Sequence, residues 1–449
     1  MSRTALLFDD AEYGKSLAAE RVSLRRGIAI VLGIFLATRL VVWTFAYAGA
    51  MINFRIRLGL EPPFEKHARE LREKYTDTTT DEGKGYQNIL TDLAPLTNAD
   101  GRHYAKILKQ GYRYQPVSRD AHPAKRQQNI AFFPLYPLVC YPLTYLFGVH
   151  GAMILVVHLA ALAGGFALYF WVRQRVDERA ARFSVACLFC LPTACYFSFG
   201  YAESLTLLLT VVTLMLADRR AFLVAAVVCG LATATRPTAL GLVPVLMLAY
   251  WFNAGGTRTQ RLGRLAPLTI VAASGILLYA GYLAYRFGSP LVYLHNFRVG
   301  WIPDSTRADW LQYLTLARVW DQFKYFGRVI EGFPIGLVNL VNPFAWNMPL
   351  NFMILFLSLA GLAFVPRSFR PLLLLAPFIF VHSYAASGGA TFGVEPIARY
   401  MSVSVPAFIV LAAWCTRELR PAPRYVLLTV MMLIQAAWSF HFGMDEWSG

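Results

Sequence analysis

Asp100, His103, Tyr104 and Ile107 recur at i, i+3, i+4 and i+7, the spacing that lines side chains along one face of a helix. A carboxylate beside an imidazole on such a face can take a proton from a hydroxyl nucleophile, as a general base does. Asp100 can equally do no more than stabilise a first helical turn, with Asn98 as its N-cap, and spacing alone leaves both readings open. A second carboxylate, Glu203, lies where two apolar runs meet at Gly200-Tyr201-Ala202-Glu203, and it too can serve simply as an acidic first-turn residue. Two cations interrupt apolar sequence, Arg236 before Pro237 and Arg399 before Tyr400. A residue preceding proline is pushed out of the helical region, so the chain opens at Arg236 and presents the guanidinium to an aqueous mouth. Such an arginine grips a phosphate with two prongs, or it snorkels to lipid headgroups. His295 and Arg298 fall in mixed sequence and read as a solvated face.

Other chemistries lack their residues. No Walker loop, GxGxxG, HExxH or GxSxG motif occurs, and Asp92 and Asp100 stand too far apart to form a DxD pair for a metal-bound nucleotide sugar. Cys140, Cys187, Cys190, Cys195, Cys229 and Cys415 all sit in apolar runs without zinc-site spacing, so neither a metal centre nor a disulfide framework is expected. No cofactor is called for, and a metal requirement stays open.

The elements that must position these residues are hydrocarbon-embedded helices. The 449-residue chain is 57% hydrophobic, 14% aromatic and 15% charged, with mean hydropathy +0.45, whereas soluble domains carry about 25% charge and roughly 45–50% apolar residues. Lipid must cover much of such a surface, which makes the chain an all-α polytopic membrane protein. Its net charge of +16 suits loops facing anionic headgroups, and no nucleic-acid partner is implied.

The organisation follows from the apolar runs. Residues 1–26 form a polar N-terminus, 27–53 a retained first span, and 54–130 a large loop with the Asp100 motif and amphipathic helices. Residues 131–149 hold the cluster Ala131-Phe132-Phe133-Pro134-Leu135-Tyr136-Pro137, too short and proline-broken for a span, and read as a re-entrant or interfacial piece. Further spans are expected over 150–286 and 348–449, with a second outer loop over 287–347. About eleven spans result. Placing residues 1–26 in the cytoplasm puts every short Arg-rich loop on the same side. Asp100, His103, Glu203, Arg236, His295, Arg298, Glu395 and Arg399 then fall at the outer face, where polar groups at helix mouths line a cavity or a substrate path.

Four ordered elements resemble a known family. Asp100-x3-Tyr104-x2-Ile107-x3-Gly111-Tyr112 with the following Ala131–Pro137 cluster, Tyr201-Ala202-Glu203-Ser204-Leu205, Thr235-Arg236-Pro237 and Arg399-Tyr400 are similar to signatures of the PIG-V type GPI mannosyltransferases and their bacterial relatives. The sequence departs from that pattern at Ala99, where relatives often carry Trp, and at Pro237-Thr238, where Asn-Gly is common. The resemblance implies a GT-C fold and a glycosyltransferase for glycolipid biosynthesis, using a polyprenyl- or dolichyl-phosphate sugar, usually mannose. It implies Asp100 as the catalytic residue, and it places His103, Tyr104, Phe133, Tyr136, Glu203, Arg236, Arg399 and Tyr400 at the substrates. The partners would be the lipid-phosphate donor, a glycan or glycolipid acceptor and membrane lipids. Without an Asn-x-Ser/Thr sequon or an ER-retention signal, a bacterial plasma membrane with the site on its external face is expected, or the ER membrane in a eukaryote. The alternative, a multi-pass transporter or lipid flippase, calls for functional polar groups near the bilayer midplane and usually an internal repeat. None is visible.

Overall fold

The computed structural model describes residues 17–57, 93–118, 126–300, 343–386 and 397–444. Glu395 and much of both expected large loops lie outside the described residues. Among the described residues all regular structure is helical. In chain order the helices are α1 (Leu17–Arg57), α2 (Asp100–Gln110), α3 (Leu135–Cys140), α4 (Thr144–Arg175), α5 (Glu178–Cys190), α6 (Glu203–Asp218), α7 (Phe222–Thr233), α8 (Leu242–Asn253) and α9 (Arg258–Ala272). They continue as α10 (Ser274–Phe287), α11 (Val292–Gly300), α12 (Pro343–Gly361), α13 (Arg370–Leu373), α14 (Leu375–Ala386), α15 (Ile397–Met401), α16 (Val405–Glu418) and α17 (Pro421–Gly443).

Leu24–Asn53, Leu135–Arg175 and Pro421–Gly443 are each long and apolar enough to cross a membrane, and α9 with α10, bent by 55°, adds a fourth if taken as one span. The chain is an integral membrane protein. The expected eleven spans are not established by the described residues, because several apolar helices are shorter than the roughly 20 residues a perpendicular crossing needs. Leu138, Tyr145, Leu146 and Phe147 stay exposed on the proline-broken stretch, where a lipid environment costs an apolar side chain nothing.

Prolines set the breaks that matter for the site. Pro192 ends α5 and starts a 3-10 turn over Pro192–Phe197, and Pro237 starts another over Pro237–Gly241. Arg236 is extended there (φ −159, ψ 150), as its position before proline predicts. Small residues bring the first and last spans together: a Cβ on Gly443 would run into the Ala46 carbonyl, and one on Gly49 into that of Phe440. Such contacts let helix backbones approach closely where hydrocarbon supplies no hydrophobic drive.

Candidate active site

The first site element is the entry to α2. A 3-10 turn over Ala94–Thr97 docks on the α5–α6 connection, where the Gly200 amide donates to the Leu96 carbonyl at 2.8 Å. A Cβ on Gly200 would lie 2.7 Å from Thr97 Cγ2 and 2.9 Å from Met153 Cε, so this approach requires glycine. Asn98 is not the N-cap expected from sequence. Ala99 holds that place with φ 48 and no side-chain cap, and Asn98 Oδ1 instead accepts from Arg102 Nη2 at 3.3 Å. Docking on Gly200 forces the turn into a conformation that costs a non-glycine residue about 1–3 kcal/mol. Asp100 follows directly and reaches Arg399, which also holds Glu203.

Four side chains from distant segments then meet. Arg399 pairs through Nη2 with Asp100 Oδ2 and through Nε with Glu203 Oε1 at 2.6 Å. Arg236 Nη1 pairs with the same Glu203 Oε1. Side-chain exposure separates the members: Glu203 and Arg399 keep 3% and 4%, Arg236 12% and Asp100 14%. The open members are one acid and one base.

Tyrosines wall the cluster. The Arg399 guanidinium lies 5.1 Å from the Tyr196 ring, 5.0 Å from Tyr201 and 5.3 Å from Tyr400, and Arg236 lies 4.7 Å from Tyr400. Cation–π contacts of this kind strengthen once water is removed. Below Arg236 the hydroxyls of Thr206 and Thr235 bond at 2.8 Å, joining α6 to the Arg236 break. Glu203 Oε2 is buried without a hydrogen-bond partner among the described residues. Buried polar atoms rarely stay unsatisfied, so this is a place where a polar ligand would gain contacts.

His103, Tyr104 and Tyr136 flank the acid side. His103 stacks on Phe132 with centroids 4.6 Å apart, and burial pushes its pKa down to about 4 against the upward pull of Asp100. The imidazole is therefore neutral at ordinary pH. Tyr104 meets Phe132 and Tyr136 edge-on; burial raises its pKa, and the charges of Arg236, Glu203, Asp100 and Arg399 all act on it. Tyr136 donates to the Met153 carbonyl at 3.1 Å. Phe133 stands apart from this group, fully buried against Tyr279 and Tyr293. His295 and Arg298 are exposed on α11.

Sequence reasoning missed Tyr196 and, in the first span, Arg39. Tyr196 gave no signal among many apolar-run aromatics. Arg39 was a visible one, a cation within an apolar run.

No family model matches the chain, and no curated protein matches it. Solved structures show a distant likeness in fold. The Archaeoglobus fulgidus oligosaccharyltransferase, in a complex with zinc and sulfate, matches at TM-score 0.42 and 15% identity, over 75% of this chain and 48% of its own. ArnT from Cupriavidus metallidurans, bound to undecaprenyl phosphate, matches at 0.44 and 15%, over 74% and 58%. The archaeal enzyme with an inhibitory peptide and a dolichol-phosphate matches at 0.38 and 14%, over 77% and 51%. The chain spans about half the length of these proteins. PIG-V membership is not established by these comparisons.

Proposed function

We propose that the chain is an integral-membrane glycosyltransferase that moves a sugar, mannose by preference, from a polyprenyl-phosphate donor to a hydroxyl of a glycan or glycolipid acceptor. One observation carries this reading: two carboxylates and two guanidiniums, gathered from four segments, converge inside a tyrosine-walled end of the helix bundle. A lipid-linked sugar keeps its phosphate at the membrane surface, so its enzyme needs a carboxylate and phosphate-binding cations where hydrocarbon meets water. The two acids fit different roles. Glu203 is the more deeply buried and already counters both arginines through one oxygen, which suits a fixed counter-ion. Asp100 is the more open and makes one ion pair among the described residues, which suits a general base.

In the reaction Asp100 takes the acceptor hydroxyl proton while the acceptor oxygen bonds to the anomeric carbon. The bond from that carbon to the phosphate oxygen breaks, and the phosphate leaves with the electron pair, inverting the centre. Arg399 and Arg236 receive the developing charge. In the free enzyme Asp100 is itself held by Arg399. An arriving donor phosphate competes for that guanidinium, so donor binding frees the base. In this reading the site lies on the external face, opposite the Arg-rich short loops, and the membrane is a bacterial plasma membrane, in keeping with the lack of an Asn-x-Ser/Thr sequon.

The test is incubation of purified protein with radiolabelled polyprenyl-phosphate mannose and a membrane extract, followed by identification of labelled product. Label in a new glycoside with release of polyprenyl phosphate is expected. Donor carried intact across a liposome bilayer, with no bond cleaved, would replace the transferase with a flippase.

A further inference from the structure

We infer that Arg39, in the first span, is a positioning residue for the charged cluster: it clamps the broken end of α5, whose following turn carries the wall around Arg399. Arg39 is buried, at 4% exposure, inside the apolar stretch Leu24–Asn53. A cation at such a place is costly and persists only where it is well partnered and needed. No carboxylate pairs with it among the described residues. Nη1 donates to the Ala194 carbonyl at 2.7 Å and to Ser198 Oγ at 2.8 Å. Nη2 reaches the Phe189 carbonyl at 3.3 Å, and Nε reaches Thr38 Oγ1 at 3.4 Å. The rings of Phe189 and Phe35 lie 5.5 and 5.9 Å from the guanidinium.

These acceptors bracket one feature, the break at Pro192. Pro192 cannot continue the helical ladder and α5 ends at Cys190, so the last carbonyls of the helix need other donors. Gln435 of α17 takes the Phe189 and Leu191 carbonyls at 3.0 and 2.8 Å. Among the described residues Arg39 spans the turn, from Phe189 at the end of α5 to Ala194 within the turn and Ser198 just after it. A guanidinium fork can do this, whereas a single ammonium cannot. The turn holds six residues, Pro192–Phe197, longer than the 3–4 residues about which 3-10 helices usually stop. It needs an external brace.

What the brace holds is part of the site. Tyr196 sits in the turn, stacks on Tyr201 at 5.8 Å and faces Arg399 at 5.1 Å. Ser204, next to Glu203, donates to the Phe197 carbonyl at 3.3 Å, tying the turn to the first turn of α6. Loosening Arg39 therefore shifts the tyrosine wall and Glu203 together.

The chain carries its own probes. Cys195 lies within the turn and Cys229 lies in α7, and both thiols are buried. Purified wild type, Arg39→Lys, Arg39→Gln and Ser198→Ala proteins would be treated with N-ethylmaleimide, and modification at each cysteine read by peptide mass spectrometry. With Arg39→Gln the Cys195-to-Cys229 modification ratio should rise about tenfold as the turn opens locally. Turnover of the proposed transfer should fall by about 10²-fold, as for displacement of a catalytic group by an ångström. Arg39→Lys should fall between. An unchanged ratio, or an equal rise at both cysteines, overturns the clamp, because the first shows no movement and the second only global loosening. A raised ratio with wild-type turnover overturns the positioning role. If Arg39→Gln does not fold, Ser198→Ala removes one acceptor and leaves the guanidinium in place; it must still raise the ratio, and no rise overturns the inference. The effect on turnover rests on the transferase reading, but the labelling ratio does not. A wild type that transfers no sugar rejects that reading while the ratio still decides on Arg39.

Discussion

Helix α6 begins at Glu203 and ends at Asp218, and its two acids answer the same problem in opposite ways. At Asp218 both carboxylate oxygens are used: Arg175 grips it as a fork, with Nε 2.6 Å from Oδ2, and Trp171 Nε1 donates at 2.9 Å. The neighbouring Arg219 is occupied by Gln174 at 2.6 Å, beside an open depression of about 220 Å³. Its partners come from α4, the helix packed alongside. At Glu203 one oxygen carries two cations from distant segments and the other has no hydrogen bond among the described residues. The Asp218 end is a satisfied ion pair that joins two helices. The Glu203 end concentrates more charge than it satisfies, and sites that act on ligands do the same.

The largest effect should come from breaking this contrast at both ends at once. Asp100→Asn keeps size and hydrogen bonding but cannot accept the acceptor's proton, so kcat should fall about 10²–10⁴-fold while donor binding and folding persist. Asp218→Asn should do the reverse, lowering the thermal midpoint in detergent by the equivalent of about 1–3 kcal/mol with turnover of the folded protein near wild type. Asp100→Asn protein with near-normal transfer would remove Asp100 from the mechanism and leave Glu203 as the carboxylate to test. An Asp218→Asn loss of turnover would erase the distinction between the two ends.

An intermediate effect is expected at the arginines. Arg399→Lys and Arg236→Lys keep the charge but lose the fork, and hydrogen bonds to charged groups contribute about 1.5–3 kcal/mol each. Donor kcat/KM should fall roughly 10- to 150-fold for at least one of them. If Arg399→Lys raises donor KM more than Arg236→Lys does, the guanidinium holding Asp100 is the one that exchanges onto the phosphate. Unchanged donor kinetics in both would make these arginines fixed structural counter-ions.

Much of this site was legible in the sequence where proline and apolar periodicity governed it. Arg236 is extended because Pro237 follows it, and Glu203 opens α6 because the apolar run resumes there. What could not be read was pairing. Asp100 and Arg399 are separated by 299 residues, and no local rule selects one partner across such a distance. Asn98 had the right residue type for an N-cap, but docking of the turn on Gly200 moved the cap to Ala99. Phe133 shares a motif with Tyr136 yet packs on Tyr279, because adjacent side chains leave the backbone in different directions. Arg39 stood out by cost alone; its sequence does not distinguish a snorkelling cation from one that braces a broken helix.

The smallest effect on turnover should come from His103, and it separates the imidazole from its neighbouring acid. Burial against Phe132 brings its pKa down to about 4 from 6.5, so at neutral pH it is uncharged, and in the proposed reaction it would orient a substrate without carrying charge. The rate–pH profile should then have no limb near 6.5 that disappears in His103→Gln. For stability the sign is opposite to that of an ion-paired histidine. Between about pH 6.5 and 4 the unfolded chain binds the proton and the folded one resists it, so stability is full above this window and falls as the pH drops through it. His103→Gln should flatten that decline, by on the order of 1–2 kcal/mol at pH 5, with little change at pH 7.5. Thermal midpoints of the two proteins at both pH values test this directly. Equal acid sensitivity would mean that His103 takes up its proton as readily in the fold as in the unfolded chain, and would return it to the list of groups able to hold the donor phosphate in mildly acidic conditions.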